Sequence, residues 1–276
     1  MISETFSISP VNKDATLTSY LWERSEQQSE GAWWQPALRP AVIVCPGGAY
    51  CFLSDREAEP VAMQFYSEGF QVFILRYSLY EECRYPAPLE EASRAIWLIR
   101  SHAGEWGIDP DKIIIGGFSA GAHFSALIGT RWNEAGLTER LGIPENGNKP
   151  NGLILSYGKL EPVREPLSST IAPDSLGYIL RVYEPEADTI LNVSKETPPS
   201  FIWHTVKDEL VPVAESIGFA LRCSEQKVPF ELHIFSEGGH GLSLADDLSD
   251  YGTIHPVNAH SWITLCINWF RYLFEF

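Results

Sequence analysis

An α/β fold, with a mostly parallel central sheet covered by helices on both faces, follows from three features of this 276-residue sequence. Short, continuous apolar runs recur at 41–45, 72–75, 113–115, 153–155 and 201–203, as strands buried on both sides do. Between them lie stretches whose apolar residues recur at helical spacing, so strands and helices alternate. The run Ile113-Ile114-Ile115 passes directly into Gly117-Phe118-Ser119-Ala120-Gly121, and Ala122, Ser125 and Ala126 continue as a helix. Strand, G-x-S-x-G and helix in that order lift one serine hydroxyl clear of a sheet edge, at a helix N-terminus.

Taken in order, residues 5–8 and 17–22 alternate as a leading hairpin or edge strands. Residues 23–40 read as a loop carrying Trp33 and Trp34, a pair that suits either packing on the domain or contact with a sugar or a partner subunit. The strand at 41–45 ends at Pro46-Gly47-Gly48-Ala49-Tyr50. A helix at 57–68, a strand at 72–75 and a helix at 89–102 follow, the last with Ala92, Ala95, Ile96, Ile99 and Ala103 on one face. Residues 108–111 form a turn into the strand that precedes Ser119. After a Gly/Pro/Asn-rich loop at 142–152 and the strand at 153–155, the rhythm breaks.

Residues 159–199 hold Pro162, Pro166, Pro173, Pro185, Pro198 and Pro199, with only short helical stretches such as 176–182. Within a single domain spanning 1–276, this insertion is read as a small cap. Alternation resumes with a strand at 201–203, a helix at 213–225 and a strand at 230–235. A Gly-rich loop then carries His240, and a final helix places Trp262, Leu265, Trp269 and Leu273 along one face.

Composition narrows the function. A formal net charge of −16 argues against nucleic acid or an anionic membrane surface as partner. The five cysteines (Cys45, Cys51, Cys83, Cys223, Cys266) are odd in number and scattered, without a C-x-x-C pair, so neither a disulfide framework nor a zinc site is expected. No P-loop and no dinucleotide G-x-G-x-x-G follows a strand, and no H-E-x-x-H is present, so no cofactor and no metal are expected. No basic and apolar leader opens the chain and no apolar run reaches membrane length, so the expected compartment is the cytoplasm. A homo-oligomer is compatible with these features without being required by them.

A serine hydroxyl needs a base beside it to act as a nucleophile. In the order Ser, acid, His, that base falls on a late loop, and His240 in Glu237-Gly238-Gly239-His240-Gly241 fits. The acid is expected just past the preceding strand, where Asp208 is the choice, Glu209 the rival and Glu237 more distant. Oxyanion donors are expected from Ala120, the residue after the nucleophile, and from Gly48 and Ala49 after an early strand. His123, one helical turn past Ser119, suits a local structural hydrogen bond. His204, His255 and His260 have no partner at metal-ligand spacing. Asp55, Arg56, Glu57 and Glu59 suit either bracing of the donor loop, lining of the pocket, or a solvated helix start.

With these residues in place, the chain resembles the α/β-hydrolase superfamily, and within it the acetyl esterase and acetylxylan-esterase-like branch. The feruloyl-esterase-like and hormone-sensitive-lipase-like groups are neighbours. The resemblance rests on residues 44–50, 54–62 (Ser54-Asp55-Arg56-Glu57-Ala58-Glu59-Pro60), 85–88, 117–121, 203–212 and 238–241. It implies a Ser119–His240–Asp208 triad with Gly48, Ala49 and Ala120 as oxyanion donors. It also implies removal of short acyl groups, chiefly acetyl, from sugars such as xylo-oligosaccharides, the substrate being a small acylated carbohydrate. Ala49 departs from the family, where a third glycine is common, and its methyl would narrow the acyl pocket or shift a donor. The same machinery would serve a formamidase or a small-peptide hydrolase. A non-catalytic binding protein of this fold would usually lack one triad residue, and all three are present here.

Overall fold

Strands with no polar face have to be covered on both sides, and that requirement sets the layers of this protein. The computed structural model describes residues 1–23, 38–161, 188–250 and 258–276. Its eight-stranded sheet runs β1 (Thr5–Ser7), β2 (Thr16–Tyr20), β4 (Gln71–Arg76), β3 (Arg39–Cys45), β5 (Ile108–Phe118), β6 (Gly152–Ser156), β7 (Ser200–Thr205), β8 (Phe230–Phe235). β1 pairs antiparallel with β2 and β2 antiparallel with β4, whereas all pairings from β4 through β8 are parallel.

Side chains alternate across the sheet and feed two cores. Ile43, Cys45, Ile113 and Ile115 face one side, where α2 (Ala87–Ser101), α3 (Ala120–Arg131) and α4 (Val213–Gln226) pack. Val42, Val44, Ile114 and Phe118 face the other, under α1 (Glu59–Ser67) and α5 (Trp262–Phe274). The predicted apolar face of α2 is buried throughout.

Two local expectations shift. The turn read at 108–111 lies inside β5, as a bulge where the pairing jumps from Arg39↔Ile108 to Ala41↔Ile113. The Asp109 carboxylate accepts the Asp111 N–H at 3.0 Å and closes that local turn, so the strand continues around it. In α5 the buried face is Trp262, Ile263, Cys266, Ile267 and Phe270, while Leu265, Trp269 and Leu273 flank it. The stacking of Trp262 on Trp203 (centroids 5.1 Å, 15° between planes) fixes that rotation of the helix. Trp33, Trp34, His255 and positions 162–187 of the predicted insertion lie outside the described residues. No helix among the described residues is long and apolar enough to cross a membrane.

The junction of β5 with α3 is the tightest point of the fold. Ser119, the N-cap of α3, takes φ 52° and ψ −114°, a strained backbone for a residue with a side chain. Such a turn fits only because nothing larger than hydrogen stands at Gly117 and Gly121. A Cβ at Gly117 would lie 2.4 Å from the Cys45 carbonyl oxygen, and one at Gly121 would lie 2.1 Å from it. Gly121→Ala therefore forces β3 and α3 apart. We expect it to cost about 3 kcal/mol of unfolding free energy, the upper part of the usual overpacking range. A urea midpoint equal to that of the wild type would refute this account of the junction.

Candidate active site

Parallel strands deliver their following loops to one edge of the sheet, and three of those loops meet here. Ser119 follows β5, Asp208 follows β7 and His240 follows β8. The Ser119 N–H donates to the Ser156 carbonyl at 2.9 Å, which ties the turn to the end of β6. His240 Nε2 lies 2.8 Å from Ser119 Oγ, and its Nδ1 lies 2.7 Å from Asp208 Oδ2. A carboxylate only accepts, so Nδ1 carries the proton and Nε2 presents a lone pair to the serine hydroxyl. In this tautomer a ring nitrogen can take up the hydroxyl proton as Ser119 attacks an electrophile.

The Asp208 side chain is fully buried and accepts four N–H groups. Its Oδ1 takes those of Leu210 (2.9 Å) and Val211 (2.8 Å), and its Oδ2 takes His240 and also His204 Nε2, at 3.1 Å. Burial alone would push this carboxyl up, but the hydrogen bonds from His204, His240 and Val211 outweigh it and hold Asp208 well below the usual carboxylate range. His204 is itself fully buried, with Ser216 Oγ 2.8 Å from Nδ1 and the Val211 carbonyl 3.1 Å from Nε2. Both neighbours of its Nε2 are acceptors, so Nε2 bears the proton and Ser216 donates to Nδ1. The exposed Glu209 takes no part in this cluster, and Glu237 pairs with Lys207 at 2.6 Å.

The turn after β3 borders the same space. Gly48 and Ala49 have φ of 134° and 58°, and the Gly48 carbonyl accepts the N–H groups of Cys51 (2.9 Å) and Phe52 (3.1 Å). Ala49 thus adopts the left-handed backbone that a glycine would adopt freely. Among the described residues, the N–H groups of Gly48, Ala49 and Ala120 have no protein acceptor. Tyr77 holds the turn from below through its hydroxyl on the Pro46 carbonyl (2.7 Å). His123 is buried, with Nδ1 2.7 Å from the Tyr50 hydroxyl, a local structural bond. His260 Nδ1 lies 3.2 Å from the Leu244 carbonyl, remote from Ser119 in its bonding.

Of the four charged residues after the turn, Glu57 is buried and accepts the Gly47 N–H at 2.8 Å, whereas Asp55 and Glu59 reach Arg76 at the surface. The sequence reading left bracing open for this group and missed His204 and Tyr157. The W-H-T-x-x-D spacing was the available signal for His204: a histidine near the end of a buried strand, four residues before the acid.

The BD-FAE family model matches residues 35–155. The chain is 34% identical over 223 residues to endo-1,4-beta-xylanase B of Butyrivibrio fibrisolvens, covering 76% of this chain and 33% of that protein. It is 32% identical over 213 residues to the acetylxylan esterase of Xylanibacter ruminicola, covering 74% and 41% respectively. It spans a third to about a half of the length of such curated relatives. The crystal structure of an acetyl ester-xyloside bifunctional hydrolase from Caldicellulosiruptor lactoaceticus matches with a TM-score of 0.76 at 30% identity, covering 98% of this chain and 96% of that one.

The lowered pKa of Asp208 bears on stability. A carboxyl held low in the folded state stabilises the protein above the unfolded value, near 3.9, and loses that contribution as the pH falls through it toward the folded value. Asp208→Asn should therefore melt roughly 3–8 °C below the wild type at pH 7. The gap should narrow between about pH 5 and pH 3, as the Asp208 carboxylate of the unfolded wild type takes up a proton that the folded one still refuses. A gap of constant size over that range, in melting curves followed by circular dichroism, would contradict the assignment.

Proposed function

We propose that this chain, which belongs to the α/β-hydrolase superfamily, is a serine esterase that removes acetyl groups from sugars such as xylo-oligosaccharides. One observation carries the proposal: the His240 ring bridges Ser119 Oγ at 2.8 Å and the buried Asp208 carboxylate at 2.7 Å. Ser119 Oγ attacks the ester carbonyl while His240 Nε2 accepts its proton. Asp208, kept ionised by its four N–H donors, holds the His240 tautomer and stabilises the imidazolium without taking a proton itself.

The unoccupied N–H groups of Gly48, Ala49 and Ala120 receive the oxyanion that forms. His240 then returns the proton to the departing sugar hydroxyl, leaving acetyl on Ser119. A water activated by the same ring nitrogen releases acetate. Residues 159–199 act as the cap over this space.

Three features support the acetyl and sugar parts. The related proteins named above include an acetylxylan esterase and an acetyl ester-xyloside hydrolase. The methyl of Ala49 sits on a donor turn where a third glycine would leave more room for the acyl group. A net charge of −16 favours a neutral substrate over an anionic one.

The test is a panel of p-nitrophenyl acetate, butyrate and octanoate together with acetylated xylo-oligosaccharides. Ser119→Ala should lower kcat/KM for the acetate by about 1,000-fold or more, with the fold intact, and a fluorophosphonate should label the wild type at Ser119. Acetate should exceed octanoate by at least about tenfold, given what one or two methylenes cost in a tight pocket. Unchanged turnover in Ser119→Ala would sink the mechanism. A preference for octanoate would remove the acetyl assignment.

A further inference from the structure

We propose that Glu57 is a positioning residue, acting through the Gly47 amide and the Tyr157 hydroxyl to hold the oxyanion-donor turn in register with the loop that carries His240. The proposal rests on the esterase reading above and adds a residue to it.

Glu57 is only 4% exposed, an expensive place for a carboxylate unless its geometry repays the desolvation. Each of its oxygens has one partner, and the two partners belong to opposite halves of the site. Oε2 accepts the Gly47 N–H at 2.8 Å, at the start of the donor turn. Oε1 accepts the Tyr157 hydroxyl at 2.7 Å. Having given its proton to Glu57, that hydroxyl accepts the Ser243 N–H at 2.8 Å, three residues past His240. An unbroken chain of hydrogen bonds thus runs from Gly47 through Glu57 and Tyr157 to Ser243.

The directions follow from the two ends: the Gly47 and Ser243 N–H groups can only donate, and the Tyr157 hydroxyl passes its proton on to Glu57. The neighbouring Arg56 adds a parallel strap: its carbonyl accepts the Ser243 hydroxyl, and its guanidinium donates to the Gly241 (3.0 Å) and Ser249 carbonyls. The Tyr157 ring also stands edge-on to the His240 ring, with centroids 5.2 Å apart and 71° between planes. Burial pushes the Glu57 carboxyl up, and Tyr157, Gly47 and the charge of His240 oppose that push.

Oxyanion donors and the general base arrive on different loops, so their separation is not set by either loop alone. A displacement of about 1 Å between such groups can cost on the order of 100-fold in rate. The bridge fixes that separation from beneath. Glu57→Gln weakens it by polarity at nearly constant shape: with its oxygen on the Gly47 N–H, the amide nitrogen donates to Tyr157, whose own proton then loses its acceptor. Tyr157→Phe breaks it by removing a single hydroxyl while keeping the ring.

Steady-state kinetics on p-nitrophenyl acetate, with melting temperatures as a check on folding, test the proposal on wild type, both single variants and the double variant. Each single variant should lower kcat about 10- to 100-fold with KM within about threefold, and should slow fluorophosphonate labelling of Ser119 in parallel. The double variant should be no more than about threefold worse than the weaker single one, because both cut the same chain. A folded Tyr157→Phe protein with kcat within threefold of wild type overturns the proposal, as do losses confined to KM or single effects that multiply. Should Glu57→Gln not fold, Tyr157→Phe decides alone. A wild type without Ser119-dependent turnover overturns the esterase reading as well, whereas full-speed variants beside an active wild type overturn only the bridge.

Discussion

At Ser119 the chain leaves β5, turns through φ 52° and begins α3 within a single residue, with its N–H tied to Ser156. That strain persists only because the surroundings leave no relaxed alternative. The Cys45 carbonyl lies where a side chain at either flanking glycine would go, so β3 and α3 close on the turn from both sides. β6 matters as much: Ser156 receives the Ser119 amide, and its hydroxyl accepts the Trp203 indole N–H at 2.7 Å. Three parallel strands therefore clamp one serine, and the loops that reach it need only bring their side chains to a fixed point.

Two buried carboxylates frame that point, and their surroundings drive them in opposite directions. Asp208 collects four N–H donors, two of them from histidine rings, and is held well below the usual range. Glu57 collects one amide and one phenol, and burial outweighs them. Charge therefore resides firmly on Asp208, behind the His240 imidazole, where it can meet a developing positive charge. Glu57 sits under the Gly47–Ala49 turn, where the proposed mechanism places an oxyanion. A firmly held negative charge there would oppose an oxyanion, so the upward push on the Glu57 pKa and the lowered pKa of Asp208 both suit the charges that acyl transfer would create.

Much of this arrangement was legible in the sequence because it is written locally. Continuous apolar runs mark the parallel strands, and the glycines around Ser119 and His240 mark the two loops where the backbone bends most. The acid was legible by place, just past a buried strand, and Asp208 rather than Glu209 meets His240 because its side chain turns inward while that of Glu209 stays in solvent. The link from Glu57 to Tyr157 was out of reach for a different reason: the two are 100 residues apart, and Ser243 is a further 86 from Tyr157. No spacing rule links positions joined only by the folded sheet. The α5 face was misread by one row because Trp262, stacked on Trp203, sets the helix rotation, which periodicity alone does not contain.

The exit from β6 is held on the body of the domain as well. Immediately after Tyr157 the chain enters the insertion, and α4 seizes it there. Glu215, 6% exposed, accepts the N–H groups of Leu160 (2.6 Å) and Glu161 (3.0 Å) and pairs with the Lys159 ammonium. At the far end of the segment, Thr189 bonds back to the Leu160 carbonyl through both its N–H (3.2 Å) and its hydroxyl (2.8 Å). Leu160 and Thr189 are thus pinned together on the body of the domain. Closing a loop at fixed ends costs little more as the loop lengthens, so such a segment can vary in size without disturbing its base. The clamp on Ser119 is made by β3, β6 and α3, none of which lies between Leu160 and Thr189.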